Sequence, residues 1–151
     1  MGTHFAGTSE EITALDTYIK LSRSAEAVTH RINAHLTEYD LTVSQFGALE
    51  ALYYLGPMQV GQLGEKILKS SGNMTLVVDN LVKRGLVERQ RREDDRRCID
   101  ISLTANGQRL IEQIMPTHIN HVVTSLNVLT LAEQENLAQL CRKLGLSQAQ
   151  N

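Results

Sequence analysis

Residues 60–104 read VGQLGEKILKSSGNMTLVVDNLVKRGLVERQRREDDRRCIDISLT. Over residues 60–68, Val60, Leu63 and Ile67 recur at helical spacing and share one face. Lys69-Ser70-Ser71-Gly72 then forms a turn that contains a cap residue. A second helix begins near Ser71 with Met74, Val77, Val78 and Leu81 as its apolar stripe, which leaves Asn73, Thr75, Leu76 and Asn80 pointing elsewhere. Gly85 ends it, as glycine does past a helix C-terminus. Residues 86–90 and 98–103 read as strands, the second alternating Ile99, Ile101 and Leu103 against Cys98, Asp100 and Ser102. Between the strands, Arg91-Arg92-Glu93-Asp94-Asp95-Arg96-Arg97 is a hairpin tip with no apolar residue to bury. Helix, turn, helix and charged hairpin, in that order, predict a winged helix-turn-helix.

The flanks read as helical scaffold. Residues 1–10 have no period and are expected to fray. Over 11–38, Ile12, Leu15, Ile19, Val28, Ile32 and Leu36 predict one long helix. Thr42-Val43-Ser44-Gln45 is a capping box that opens a helix through Phe46, Leu49, Leu52 and Tyr53, closed by Gly56-Pro57. Thr104 caps a helix carrying Leu110, Ile111, Ile114, Ile119, Val122, Val123 and Leu126, which Pro116 is expected to kink. Thr130-Leu131-Ala132-Glu133 opens a last helix with Leu137, Leu140 and Leu144, and Gly145 is expected to stop it. The expected fold is mainly α with a small β-hairpin wing, in a single domain over 1–151.

Composition excludes several classes. A chain of 151 residues, 42% hydrophobic and 21% charged, fits one soluble globular domain able to bury its own core. No apolar run approaches a membrane span and the N-terminus lacks signal-peptide character, so no membrane partner is expected. Ala6 stands where a myristoylation signal needs Ser or Thr. Cys98 and Cys141 fit neither a disulfide framework nor a zinc spacing, and a cytoplasmic location is the simplest expectation. With no nucleophile elbow, phosphate loop or paired histidine-glutamate motif, the chain is not expected to be an enzyme or to hold a cofactor.

The net charge is −2, yet residues 83–97 hold seven basic residues (Lys83, Arg84, Arg89, Arg91, Arg92, Arg96, Arg97) against four acidic ones, a local excess of three. Such residues beside an exposed helix are what phosphate contacts with double-stranded DNA require. The alternative is a solvated charged loop.

The wing resembles that of the MarR family of bacterial transcription regulators. Asp95-Arg96-Arg97, then Ile99, Ile101, Leu103-Thr104 and Gly107, is similar to the family's Asp-x-Arg signature leading into Leu-Thr-x-x-Gly. Residues 80–89 resemble its join of recognition helix to wing, and the likeness extends from about residue 15 to 145. It implies a homodimer, with 11–38 and 104–145 as dimerisation helices and about 42–103 as the DNA-binding region, reading a palindromic operator as a repressor. It further implies that Asp95 orients Arg97 into the minor groove, with Lys83, Arg92 and Arg96 nearby. Ser70, Ser71, Asn73, Thr75 and Asn80 would face the major groove. Leu76 departs from the family pattern, standing where many relatives carry a basic or polar residue, so any base contact there is apolar.

Relatives often release DNA when a small aromatic or phenolic compound binds. Tyr39, Phe46, Tyr53 and His118 are the candidate lining residues, although each tyrosine fits a plain core role as well. Residues 21–24, 77–79 and 115–118 look similar to a branch that answers quinones and catechols. His118 and His121 lie three apart but have no acidic or cysteine partner nearby, so no metal site is expected. Cys98, beside Arg96 and Arg97, is either a small strand residue or a redox-responsive thiol. An architectural protein with weak sequence preference is the remaining alternative.

Overall fold

The computed structural model describes residues 3–67 and 71–148, and of Ser71 and Gly72 the backbone alone. In chain order the elements are α1 (Ser9–Asn33), a 3₁₀ turn (Ala34–Tyr39), α2 (Val43–Leu55), α3 (Val60–Lys66), α4 (Ser71–Lys83), β1 (Val87–Arg91), β2 (Ile99–Leu103), α5 (Ala105–Leu126) and α6 (Leu131–Gln148). This is the mainly α chain with a β-hairpin wing that the periodicity predicts. Leu68, the last residue of the predicted helix, and Lys69 and Ser70, half of the predicted turn, lie outside the described residues.

The chain divides into two units, Asn33–His118 and Met1–Ile32 with Ile119–Asn151. The first holds the core. Met74, Val78 and Leu81 of α4 are fully buried, as are Leu49, Leu63 and Ile101 from α2, α3 and β2, and Ile111 and Ile114 from α5. β1 and β2 pair antiparallel from Val87 opposite Leu103 to Arg91 opposite Ile99. Met58, not predicted as extended, forms an isolated antiparallel bridge to the other edge of β2: its N–H donates to the Ile101 carbonyl at 3.2 Å and Ile101 N–H returns the bond at 2.8 Å. The hairpin is thereby anchored at the middle of β2 by the residue two before α3.

The long first helix does not continue to residue 38. α1 ends at Asn33, the chain tightens into the 3₁₀ turn, and Asp40 takes a left-handed φ of 53°. Asp40 N–H donates to Thr37 O and Leu41 N–H to Leu36 O, a Schellman closure flanked by the buried Leu36 and Leu41. Burying both leucines on the same side requires this reversal, which an α-helical period cannot provide. At the other end of α1, Thr8 and Glu11 form a capping box where fraying was expected: Glu11 N–H donates to Thr8 Oγ1 and Thr8 N–H to Glu11 Oε2.

The predicted caps at Thr42, Thr104 and Thr130 are formed, each threonine hydroxyl accepting an amide three residues on. α5 runs unbroken across Pro116. α6 does not stop at Gly145 but passes through it to Gln148, because Gly145 keeps a negative φ and remains helical.

The joint between α4 and the wing fixes the most geometry. Gly85 has φ 68°, with Gly85 N–H donating to Val82 O and Leu86 N–H to Leu81 O. Thr104 Oγ1 donates to Gly85 O at 2.6 Å and Thr104 N–H to Leu86 O at 3.1 Å, so the first turn of α5 is tied to the same joint. A Cβ on Gly107 would sit 1.9 Å from Leu86 O. Only glycine permits this approach.

Within the second unit, α1 and α6 bury none of their residues, and Tyr18, Ile119, Val123, Leu131, Leu140 and Leu144 are large exposed apolar side chains. No described helix is long and apolar enough to cross a membrane.

Candidate nucleic-acid interface

α4 is amphipathic because its stripe at 74, 78 and 81 follows the spacing of four and three that one helix face requires. With that face buried, Asn73, Thr75 and Leu76 are exposed on the helix and Asn80 is half-buried. Ser71 opens α4, while Ser70 lies outside the described residues. Lys83 is exposed in the last turn.

The charged residues of 83–97 divide into two groups. Arg84 donates from Nη1 to Asp40 O at 2.7 Å and from Nη2 to Tyr39 O at 3.0 Å, covering carbonyls that the 3₁₀ turn leaves open. Arg89 of β1 pairs with Asp79 of α4 at 2.5 Å, linking helix to wing. Arg92 pairs with Asp100 across the hairpin at 2.9 Å. These three cations brace the fold. Lys83, Arg91 and Arg96 form no ion pair among the described residues and are exposed. Arg91, Arg92, Glu93 and Arg96 line a shallow depression on the wing.

At the wing tip, Asp95 Oδ1 accepts from Arg97 N–H at 3.0 Å and from Arg97 Nε at 3.3 Å. The Arg97 side chain is 93% exposed, so Asp95 fixes its root and leaves the guanidinium in water. The Arg97 N–H, and then its guanidinium, hold the Asp95 carboxyl below its ordinary value. Cys98 Sγ lies 3.7 Å from Asp95 Oδ2, its S–H aimed at the same carboxylate.

Of the candidate ligand-lining residues, Phe46 and His118 come together, ring centroids 4.4 Å apart, and both are buried. His35 joins them, its ring 5.4 Å from that of His118. Sequence reading missed His35 because it falls where the α-helical period fails. Tyr53 packs edge-on against Tyr54, and Tyr39 lies half-buried beside the core. Among the described residues no group of three or more metal-ligating side chains is clustered. Arg91 is an exposed cation of the wing that the sequence reading did not single out; it named the neighbouring Arg92, which is the one paired with Asp100.

Comparison with known proteins agrees with this geometry. The MarR family model matches residues 41–99. The HTH-type transcriptional regulator MhqR of Bacillus subtilis is 32% identical over 137 residues, covering 91% of this chain and 94% of MhqR. Among solved structures, AbsC, a MarR family transcriptional regulator from Streptomyces coelicolor, superposes with a TM-score of 0.85 at 17% identity, over 97% of this chain and 100% of AbsC. BpsR of Bordetella bronchiseptica, whose DNA binding is regulated by 6-hydroxynicotinic acid, superposes with a TM-score of 0.77 at 21% identity, over 96% of this chain and 98% of BpsR. A winged helix-turn-helix matched this way defines a DNA-binding transcriptional regulator, not an enzyme. The chain belongs to the MarR family.

Proposed function

We propose that the protein is a homodimeric repressor that binds a palindromic operator and leaves it when a small aromatic, phenolic or quinone-like ligand binds. The observation that carries this reading is the pairing of an exposed polar face on α4 with a wing whose Arg91, Arg96 and Arg97 are exposed, all on one buried core. Asn73, Thr75 and Asn80 suit base edges, asparagine pairing with adenine and threonine meeting a thymine methyl. Ser70 and Ser71 would contact the groove at the start of α4. Lys83 and Arg96 would contact phosphate, Arg92 would do so only through its Nη groups because its Nε is held by Asp100, and Arg97, rooted by Asp95, would enter the minor groove.

Dimerisation is supported by α1 and α6, which bury no residue within one chain although both carry large apolar side chains. A two-fold pair would read half-sites about 34 Å apart. Ligand control is supported by the buried Phe46, His118 and His35 rings, with Tyr39 and Tyr53 as further lining candidates, and by the regulation of BpsR by a small aromatic acid. The test is selection from random duplex DNA followed by anisotropy titration with 6-hydroxynicotinic acid, catechol and benzoquinone. An enriched palindrome released by one of these compounds is expected. Enrichment of no sequence would favour an architectural protein instead.

One contact favours a second reading, a redox-responsive regulator acting through Cys98. Its thiol shares the Asp95 carboxylate with Arg97, so alkylating it would disturb the wing tip. Iodoacetamide should then release DNA from the wild type but not from Cys98→Ser, and equal release from both would end this reading.

A further inference from the structure

We infer that Leu76 reads thymine in the major groove through the C5-methyl group. This rests on α4 being the helix that reads DNA. Leu76 is 62% exposed and is the one large apolar side chain exposed on the described part of α4. It stands two residues from both Met74 and Val78, about 200° round the axis from each, and so is directed away from the buried stripe. It also lies three residues after Asn73 and four before Asn80, on the strip they share. An apolar side chain is thus held between two amides that suit base edges.

Leucine can neither donate nor accept a hydrogen bond, so it discriminates bases only by what it covers. The edges of guanine, adenine and cytosine present polar atoms in the major groove, whereas thymine adds a methyl. Over a methyl, Leu76 sheds water from two apolar surfaces. Over any other edge it strips water from a donor or acceptor and returns no partner. Attraction and rejection therefore favour the same base. Asn73 and Asn80 stand about 4.5 Å and 6 Å from Leu76 along the helix. The thymine accordingly lies within about two base-pair steps of the bases those amides contact, given roughly 3.4 Å per step.

The test begins with duplexes selected from random DNA by the wild-type protein, in which each thymine is replaced singly by deoxyuridine. This removes one methyl and leaves base pairing unchanged. Besides any thymine that Thr75 meets, the expected result is a position in each half-site where the wild type loses about fourfold in affinity. Leu76→Ala should bind the thymine and uracil duplexes equally there. Because the uracil arm leaves the protein intact and Leu76 is exposed, folding does not confound the comparison, and matched circular dichroism melts check this. Indifference of the wild type to every uracil substitution overturns the inference, as does the persistence of every loss unchanged in Leu76→Ala. Selection of no duplex at all overturns instead the reading of α4 as a DNA-reading helix.

Discussion

Arg84, at the end of α4, donates to the backbone carbonyl of Asp40 at 2.7 Å, joining the helix that carries the polar face to the left-handed reversal before α2. Its neighbour Lys83 has no such role. Two adjacent cations, equivalent by composition, therefore serve different purposes, one bracing the fold and the other remaining available to phosphate.

Arg84→Ala should lower stability by about 1 kcal/mol, the worth of the hydrogen bonds it loses. Lys83→Ala should leave the thermal midpoint unchanged and reduce the salt slope of DNA binding by about 1. Urea unfolding and salt-dependent anisotropy on both variants separate the two roles. A stability loss confined to Lys83→Ala would reverse the assignment.

Gly107→Ala should destabilise by about 2–3 kcal/mol, since the added Cβ meets a backbone oxygen that no rotamer change can move. Gly61→Ala supplies the contrast. That glycine lies in α3 with open space around its Cβ position, and the change should stabilise by up to about 1 kcal/mol. Chemical denaturation of the two variants should give shifts of opposite sign.

The Asp95 carboxyl should titrate below its ordinary value of 3.8, held down by the Arg97 N–H and then by the guanidinium. Because the folded value is depressed, the order these bonds give the wing tip is fully present above 3.8 and is lost as pH falls through the lower folded value. Arg97→Ala keeps the backbone donor, so the midpoint should rise but remain under 3.8. Carboxyl-detected NMR titration of both proteins measures this. A wild-type midpoint at or above the ordinary value would remove the brace.

Arg97→Ala should weaken DNA binding and make its dependence on salt shallower, since a groove charge is lost. Its stability should change by less than about 0.5 kcal/mol, as expected for a side chain this exposed. Affinity unchanged across salt concentrations would count against a DNA role for the wing.

Much of the fold was legible because it rests on local rules. Thr42, Thr104 and Thr130 announce their helices through hydroxyls that reach amides three residues away, and Met74, Val78 and Leu81 announce a buried face by spacing alone. What escaped depends on partners distant in the chain. The reversal at Asp40 is held by Arg84, and Met58 becomes extended only because Ile101 is there to pair with it. In the site, sequence marked the charge of 83–97 but could not divide it. Arg84, Arg89 and Arg92 are distinguished from Lys83, Arg91 and Arg96 only once Asp40, Asp79 and Asp100 are in place.

The joint at Gly85, Leu86, Thr104 and Gly107 also determines where the chain tolerates changes in length. Its ties join residues at fixed offsets along two segments, so one inserted residue there would put a side chain against Leu86 O or move Thr104 out of reach of Gly85. The hairpin tip is less constrained: its hydrogen bonds among Asp94, Asp95, Arg97 and Cys98 span at most three residues, and it is closed by the Arg92 N–H to Cys98 O bond and the Arg92–Asp100 pair. A longer or shorter tip would alter how far the wing extends while leaving the core untouched. Drift in this protein's reach can therefore accumulate at the tip at less cost to the core than at the joint.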